Sequence, residues 1–236
     1  MLQIILLNSM DQRAFPNPYK DYDGTAASVQ EFLDPTGKLS EAFTHRLSAK
    51  INELLQHMEV GLKTADPRDG TVYTGWAGIA LLYLHLFNVY EDAAFLQKAL
   101  EYVSRSLKSL DRRSFTFLCG DAGPLAIAAV IYHKLQKVED SEECVNRLLQ
   151  LYPLVGKVDT RIPDEMLYGR IGYLYALAFV NEQFRHEKIP KQYMQQILEL
   201  RGLWVSIKKQ WKLTMPIAFK DKALTTVQVT TTGSAA

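Results

Sequence analysis

Two cysteines, Cys119 and Cys144, and five histidines are what this 236-residue chain offers to thiol or transition-metal chemistry. A zinc site needs three or four such ligands brought together. Cys119 precedes Gly120 and Cys144 precedes Val145, so no Cys-His pair occurs. His57, His85 and His133 fall in helical stretches with no second ligand four residues on, and His45 and His186 read as surface residues. Cys119 reads first as a small buried residue at a tight turn, with a metal or redox role as the alternative. Cys144 lies on an amphipathic stripe and reads as packing. Asp121, directly after Gly120, is placed to cap a helix or offset its positive end, with a catalytic base as the lesser reading. Arg170 holds the equivalent position in a later segment, where it could face a central cavity.

The elements that must position these residues announce themselves through glycine. Three segments are alike: Thr74-Gly-Trp-Ala-Gly-Ile-Ala, Cys119-Gly-Asp-Ala-Gly-Pro-Leu and Tyr168-Gly-Arg-Ile-Gly-Tyr-Leu. Each is Gly-x-x-Gly leading into an almost unbroken apolar helix. The first glycines are Gly75, Gly120 and Gly169, so the repeat spacing is 45 and then 49 residues. A period of that size marks an array of helical hairpins. Without a Cβ, glycine lets the chain turn sharply into a helix and pass close to neighbouring backbone. Pro124 fits a first helical turn.

Between the glycine motifs the texture changes. Leu39, Phe43, Leu47, Ile51, Leu54, Leu55, Met58 and Leu62 form one stripe at helical spacing. Phe95, Leu96, Ala99, Tyr102, Val103, Leu107 and Leu110 form a second, and Cys144, Val145, Leu148, Leu149 and Tyr152 a shorter third. Charged residues fill the opposite faces, as in one-sided amphipathic helices. An all-apolar helix must be enclosed, and an amphipathic one can cover it and face water. The alternation therefore predicts an all-α fold: an incomplete α/α barrel, or toroid, of helical hairpins. Apolar helices would stand inside, amphipathic helices outside, and the glycine turns would gather at one end of the inner layer. A stacked solenoid is the competing arrangement.

Composition narrows the function. Net charge is +1, so no strong field calls for nucleic acid. Two cysteines do not make a disulfide framework, which suits a reducing, cytoplasmic setting. The apolar run Leu2 to Leu7 is short for a signal-peptide core and has no basic residue before it. Leu at position 2 excludes N-myristoylation for this start. Thr71 to Tyr90 is uncharged over twenty residues, yet its Thr71, Thr74, His85 and Asn88 favour a buried helix over a membrane span.

Several blocks together resemble the LanC-like (lanthionine synthetase C-like) family. They are Gln12-Arg-Ala-Phe-Pro-Asn-Pro-Tyr19, Ala65-Asp-Pro-Arg-Asp-Gly70, Tyr73-Thr-Gly-Trp-Ala-Gly-Ile-Ala80, Thr116-Phe-Leu-Cys-Gly-Asp-Ala-Gly-Pro-Leu-Ala126 and Glu165-Met-Leu-Tyr-Gly-Arg-Ile-Gly-Tyr173. The likeness runs from about Met10 to about Leu198. It implies a double ring of seven outer and seven inner helices. It also implies a zinc ion held by two cysteines and a histidine, glutathione as ligand, and addition of the glutathione thiol to dehydroamino acids in peptides. Bacterial relatives cyclise lantibiotic peptides instead. The family's zinc ligands lie in later repeats, in Cys-His-Gly motifs that this sequence does not contain. Of the family's functional residues only an N-terminal arginine carries over, onto Arg13, where the resemblance implies a role in positioning glutathione or substrate.

The sequence thus divides into an N-terminal extension and arm (1–38), a partial barrel with three glycine repeats (39–198) and a divergent tail (199–236). In the tail, Leu200, Leu203, Trp204, Ile207 and Trp211 keep helical spacing beside Arg201, Lys208, Lys209 and Lys212. This basic stretch reads as a replacement helix or a loose tail, with a partner helix or peripheral contact at the plasma membrane as the alternative. Three functions are expected in descending order. The first is a LanC-like glutathione transferase fragment, without zinc or a cofactor of its own and inactive alone. The second is a non-catalytic helical scaffold for a protein partner. The third is an α/α-toroid glycosidase, for which Asp121 alone does not supply paired acids.

Overall fold

The computed structural model describes residues 18, 21, 25, 29–111, 113–159 and 161–199. It divides into two compact units at Ala65 and Asp66, inside the span 39–198.

In the first unit a turn leads into one long helix. Asp34 Oδ1 accepts from Thr36 N at 2.8 Å, Thr36 Oγ1 at 2.6 Å and Lys38 N at 3.0 Å. Gly37 takes a left-handed φ of 79° within that turn, the conformation glycine adopts without a steric penalty. The turn closes on an isolated bridge between Leu33 and Leu39. Ser40 then caps helix α1 (Glu41–Gly61), its Oγ accepting from Phe43 N. Phe32 meets Phe43 edge-on at 5.0 Å. The predicted stripe is thus helical, but no residue of α1 is fully buried.

The second unit holds α2 (Trp76–Tyr90), α3 (Ala93–Ser106), α4 (Ala122–Lys134), α5 (Val138–Leu149), the single turn α6 (Tyr152–Val155), α7 (Arg170–Phe184) and α8 (Lys191–Glu199). α2 packs on α3 and α4 on α5, while α4 also lies against α2, α3 and α7. The division of labour follows hydrophobicity. α4 is apolar all round, and every residue from Ala122 to Ile131 is buried. α7 is enclosed nearly as completely. α3 buries only Leu96, Ala99, Tyr102, Val103 and Ser106, and its Lys98, Glu101 and Arg105 pair with one another on the other side. α5 does the same with Ser141, Cys144, Val145 and Leu148. Each enclosed Leu or Ile contributes about 1.5–3 kcal/mol, so the glycine-led helices supply most of the core. Among the described residues the fold is helical, with no strand beyond the bridge in the first unit.

The repeat also extends to the far ends of the inner helices. α2 and α7 stop on Glu91 and Arg185, and α4 is followed by Gln136; all three are left-handed, with φ of 56°, 59° and 60°. These residues stand 45 and 49 apart, matching the glycine spacing, so each repeat has the same separation between its first glycine and its left-handed residue. α2 spans 15 residues, short of the roughly 20 needed to cross a bilayer. Among the described residues no helix is long and apolar enough to do so.

Candidate functional site

The three glycine motifs come together at one end of α2, α4 and α7. Their glycines answer to crowding rather than to unusual backbone angles, since Gly75 and Gly169 have φ of −113° and −117°. In each repeat the preceding loop folds back over the helix start. A Cβ on Gly75 would stand 2.2 Å from the Asp69 carbonyl oxygen, and one on Gly169 2.2 Å from that of Pro163. At the second glycines the distances are 2.3 Å from Gly78 to Val72 O, 1.9 Å from Gly123 to Phe117 O and 2.3 Å from Gly172 to Met166 O. The same loops supply acceptors for the orphan amides of the first turn. Trp76 N donates to Asp69 O, Asp121 N to Ser114 O and Arg170 N to Pro163 O, each at 3.0 Å.

The loops are also laced to one another. Val72 N and Tyr73 N both donate to Leu118 O, at 3.1 and 3.0 Å. Phe117 N donates to Gly172 O at 3.2 Å, and Thr116 Oγ1 to Leu167 O at 2.7 Å. One side chain per repeat stiffens its own turn: Thr71 Oγ1 accepts from Thr74 N, Thr116 Oγ1 from Cys119 N and Glu165 Oε1 from Tyr168 N. Sequence reasoning missed this trio. Its only signal is a polar residue four positions before each first glycine.

Arg170 does not face a cavity, contrary to the expectation from sequence. Its side chain is fully buried, and its guanidinium tethers the loop ahead of α7. Nη1 donates to Ile162 O and Asp164 Oδ1, each at 2.8 Å. Nη2 donates to Lys157 O at 2.9 Å and Asp159 O at 2.8 Å, and Nε to Val155 O at 3.3 Å. All five N–H directions are used, which is what makes a buried arginine tolerable. Asp121 makes no capping hydrogen bond to α4. Its Oδ1 instead accepts from Asp111 N at 3.3 Å. At the same position of the first repeat, Trp76 Nε1 donates to Asp66 O at 3.0 Å. Three unlike side chains thus do one job, each holding the loop that precedes its helix.

A polar cleft of about 200 Å³ opens beside the second repeat, bordered by Arg68, Asp69, Ser109, Ser114, Cys119 and Asp121. Burial raises the Asp69 carboxyl, but hydrogen bonds from Thr74 and Thr71 outweigh it and hold the group below its ordinary value. Cys119 shifts the other way: partial burial, then the charges of Glu165 and Asp69, push its thiol up. The Cys144 thiol is buried among packing side chains and pushed up to about 11 by that burial. Both sulfurs are therefore protonated near neutrality, the unreactive form.

A metal-bound cysteine must give up its proton, and the surroundings of Cys119 oppose that. Among the described residues, no three His, Cys, Asp or Glu side chains gather in a way that could hold a metal ion. The described residues thus do not by themselves fit the zinc that the sequence resemblance implies for the family. Arg13, and the tail from residue 200 onward with its Arg201, Lys208, Lys209 and Lys212, lie outside the described residues.

Residues 66–215 match the model of the lanthionine synthetase C-like protein family. The match begins where the second compact unit begins, and it continues past Leu198. A curated relative, the glutathione S-transferase LANCL1 of Danio rerio, is 62% identical over 189 residues. Those residues are 80% of this chain and 46% of that protein, so the chain spans about half the length of the relative.

Proposed function

This chain belongs to the lanthionine synthetase C-like family, and on that premise we propose that it forms the framework portion of a glutathione-transfer fold. The whole protein's reaction in this reading is transfer of glutathione through its thiol, as the name of the relative supports, with dehydroamino acids in peptides as the acceptors that the sequence resemblance implies. Glutathione is the small-molecule partner, Arg13 helps to position it, and the setting is cytoplasmic.

The chain's own part is mechanical. Its glycine loops bind three inner helices into one end wall; Trp76 and Asp121 fix the loops that frame the polar cleft, and Arg170 fixes the loop ahead of α7. In this reading its described residues do not generate the nucleophile, which is the glutathione thiolate. The observation that carries this reading is the lacing of the loops: Val72 N and Tyr73 N donate to Leu118 O, Phe117 N to Gly172 O and Thr116 Oγ1 to Leu167 O. Among the described residues no three His, Cys, Asp or Glu side chains gather to hold a metal ion. In this reading the chain by itself does not catalyse the transfer.

The test is direct. Purified chain is incubated with glutathione, zinc and a dehydroalanine-containing peptide, and adduct is counted by mass spectrometry against a protein-free control. The expected rate equals the uncatalysed one. A rate well above the control, lost on chelation, would overturn the assignment. A second reading, a scaffold that docks a protein partner, is favoured by the apolar residues left open on α2, where Leu82 and Val89 are 39% and 60% exposed. Binding of an apolar dye that is abolished by Leu82→Glu would support it.

A further inference from the structure

At the end of α4 away from the glycine loops, the ring of His133 stacks on Phe184 of α7, with centroids 4.1 Å apart and planes 18° apart. Phe184 meets the ring of His186 edge-on at 5.7 Å, and His186 Nδ1 lies 2.9 Å from the Phe184 carbonyl oxygen. One phenyl ring thus joins two imidazoles, one on α4 and one just past α7.

Cations crowd this junction. Burial, and after it His186, Lys134 and Lys188, hold His133 below the usual histidine value of 6.5. Lys134 is pushed down as well, by burial and by Arg185. Its Nζ lies 5.6 Å from the ring centroid of Phe87 on α2. The carboxylates at this end are engaged: Glu142 of α5 pairs with Lys188, Glu187 lies 3.8 Å from Lys191, and Glu182 of α7 also has a partner. A proton arriving on His133 would therefore meet, in these three carboxylates, anions that already have partners.

We propose that this stack is an acid-operated latch between α4 and α7. At neutral pH the uncharged His133 ring lies flat on Phe184 and closes the seam. On acidification the ring takes up a proton, joins Lys134 and Arg185 as a further positive charge, and lifts off Phe184. The glycine loops, held by backbone hydrogen bonds that do not titrate, keep the other end shut. The sign follows from linkage. An opened His133 takes up its proton near pH 6.5, and the stacked one only at lower pH. The closed seam thus loses stability as pH falls from about 6.5 toward the stacked value, and the loss levels off below it.

Nuclear magnetic resonance on the full chain tests this. The His133 imidazole should titrate with a midpoint below 6.5, and the cross-relaxation between the His133 and Phe184 rings at pH 7.5 should disappear at pH 5.5. In His133→Phe, which keeps an aromatic ring but cannot take up a proton, the contact between the Phe184 and His186 rings should persist at pH 5.5. A His133 midpoint at or above 6.5, or a ring contact that survives acid in the unaltered chain, would overturn the latch. So would equal loss of contact in both proteins. If the variant fails to fold, the midpoint measured on the unaltered chain still decides.

Discussion

Gly123 and Phe117 approach each other more closely than any side chain would permit: a Cβ on the glycine would stand 1.9 Å from the Phe117 carbonyl oxygen and 2.5 Å from Val72 Cγ2. Phe117 belongs to the same repeat and Val72 to the one before, so a single residue senses both the folding back of its own loop and the lacing to its neighbour. Gly123→Ala should cost about 3–4 kcal/mol in urea unfolding. Gly61, at the end of α1, has nothing within 4 Å of the same position. Gly61→Ala should leave stability unchanged or raise it by up to about 1 kcal/mol. A mild effect at Gly123 would mean that the loop does not press on the helix start.

Arg170 should be among the most sensitive charged positions in the chain. Removing its guanidinium leaves the partly buried Asp164 carboxylate and four backbone carbonyls without their donor. Arg170→Met should lower stability by about 3–5 kcal/mol. Arg170→Lys should recover little, because one ammonium cannot reach five acceptors. Denaturant titration checks both, and full rescue by lysine would contradict the tether.

One link between the second and third repeats runs through Thr116, whose hydroxyl donates to Leu167 O and accepts from Cys119 N. Thr116→Val keeps the shape and removes both bonds. The expected loss is about 1–3 kcal/mol, with faster hydrogen exchange at the Cys119 amide. An unchanged amide would contradict the shared turn cap.

The buried Cys144 thiol sets a pH dependence on the alkaline side. Its folded value is about 11, above the ordinary 9.0, because burial disfavours the thiolate. Below pH 9 both states carry the proton and nothing is lost. Between pH 9 and 11 the unfolded chain gives it up first, so folding stability falls, by on the order of 2–3 kcal/mol at the top of that window. Cys144→Ala should flatten that part of the curve. At pH 7.5 iodoacetamide should modify Cys119 slowly and Cys144 only on unfolding.

How much of this was legible beforehand depended on whether a residue's type fixes its surroundings. Glycine at a point of close approach has no substitute, so Gly75, Gly120 and Gly169 disclosed the repeat, the helix starts and the shared end of the inner layer. Stripes such as Leu96, Ala99, Tyr102 and Val103 disclosed the outer helices, because burying one face requires that spacing. Trp76, Asp121 and Arg170 were opaque for the opposite reason. Each holds the loop before its helix through different atoms, and no common residue type marks the task. The absence of a capping bond at Asp121 was equally hidden, since an aspartate at a helix start usually makes one. The left-handed residues Glu91, Gln136 and Arg185 carried no signal either, because none is glycine.

The measurement that bears most directly on the account is backbone hydrogen exchange across α4 and α3. If the glycine-led helices form an enclosed layer, the amides of residues 126–130 exchange only when the whole second unit unfolds, and their protection equals its unfolding free energy. The amides on the charged side of α3, near Lys98 and Glu101, open at lower cost. Equal, weak protection in both helices would contradict the two-layer arrangement on which the rest depends.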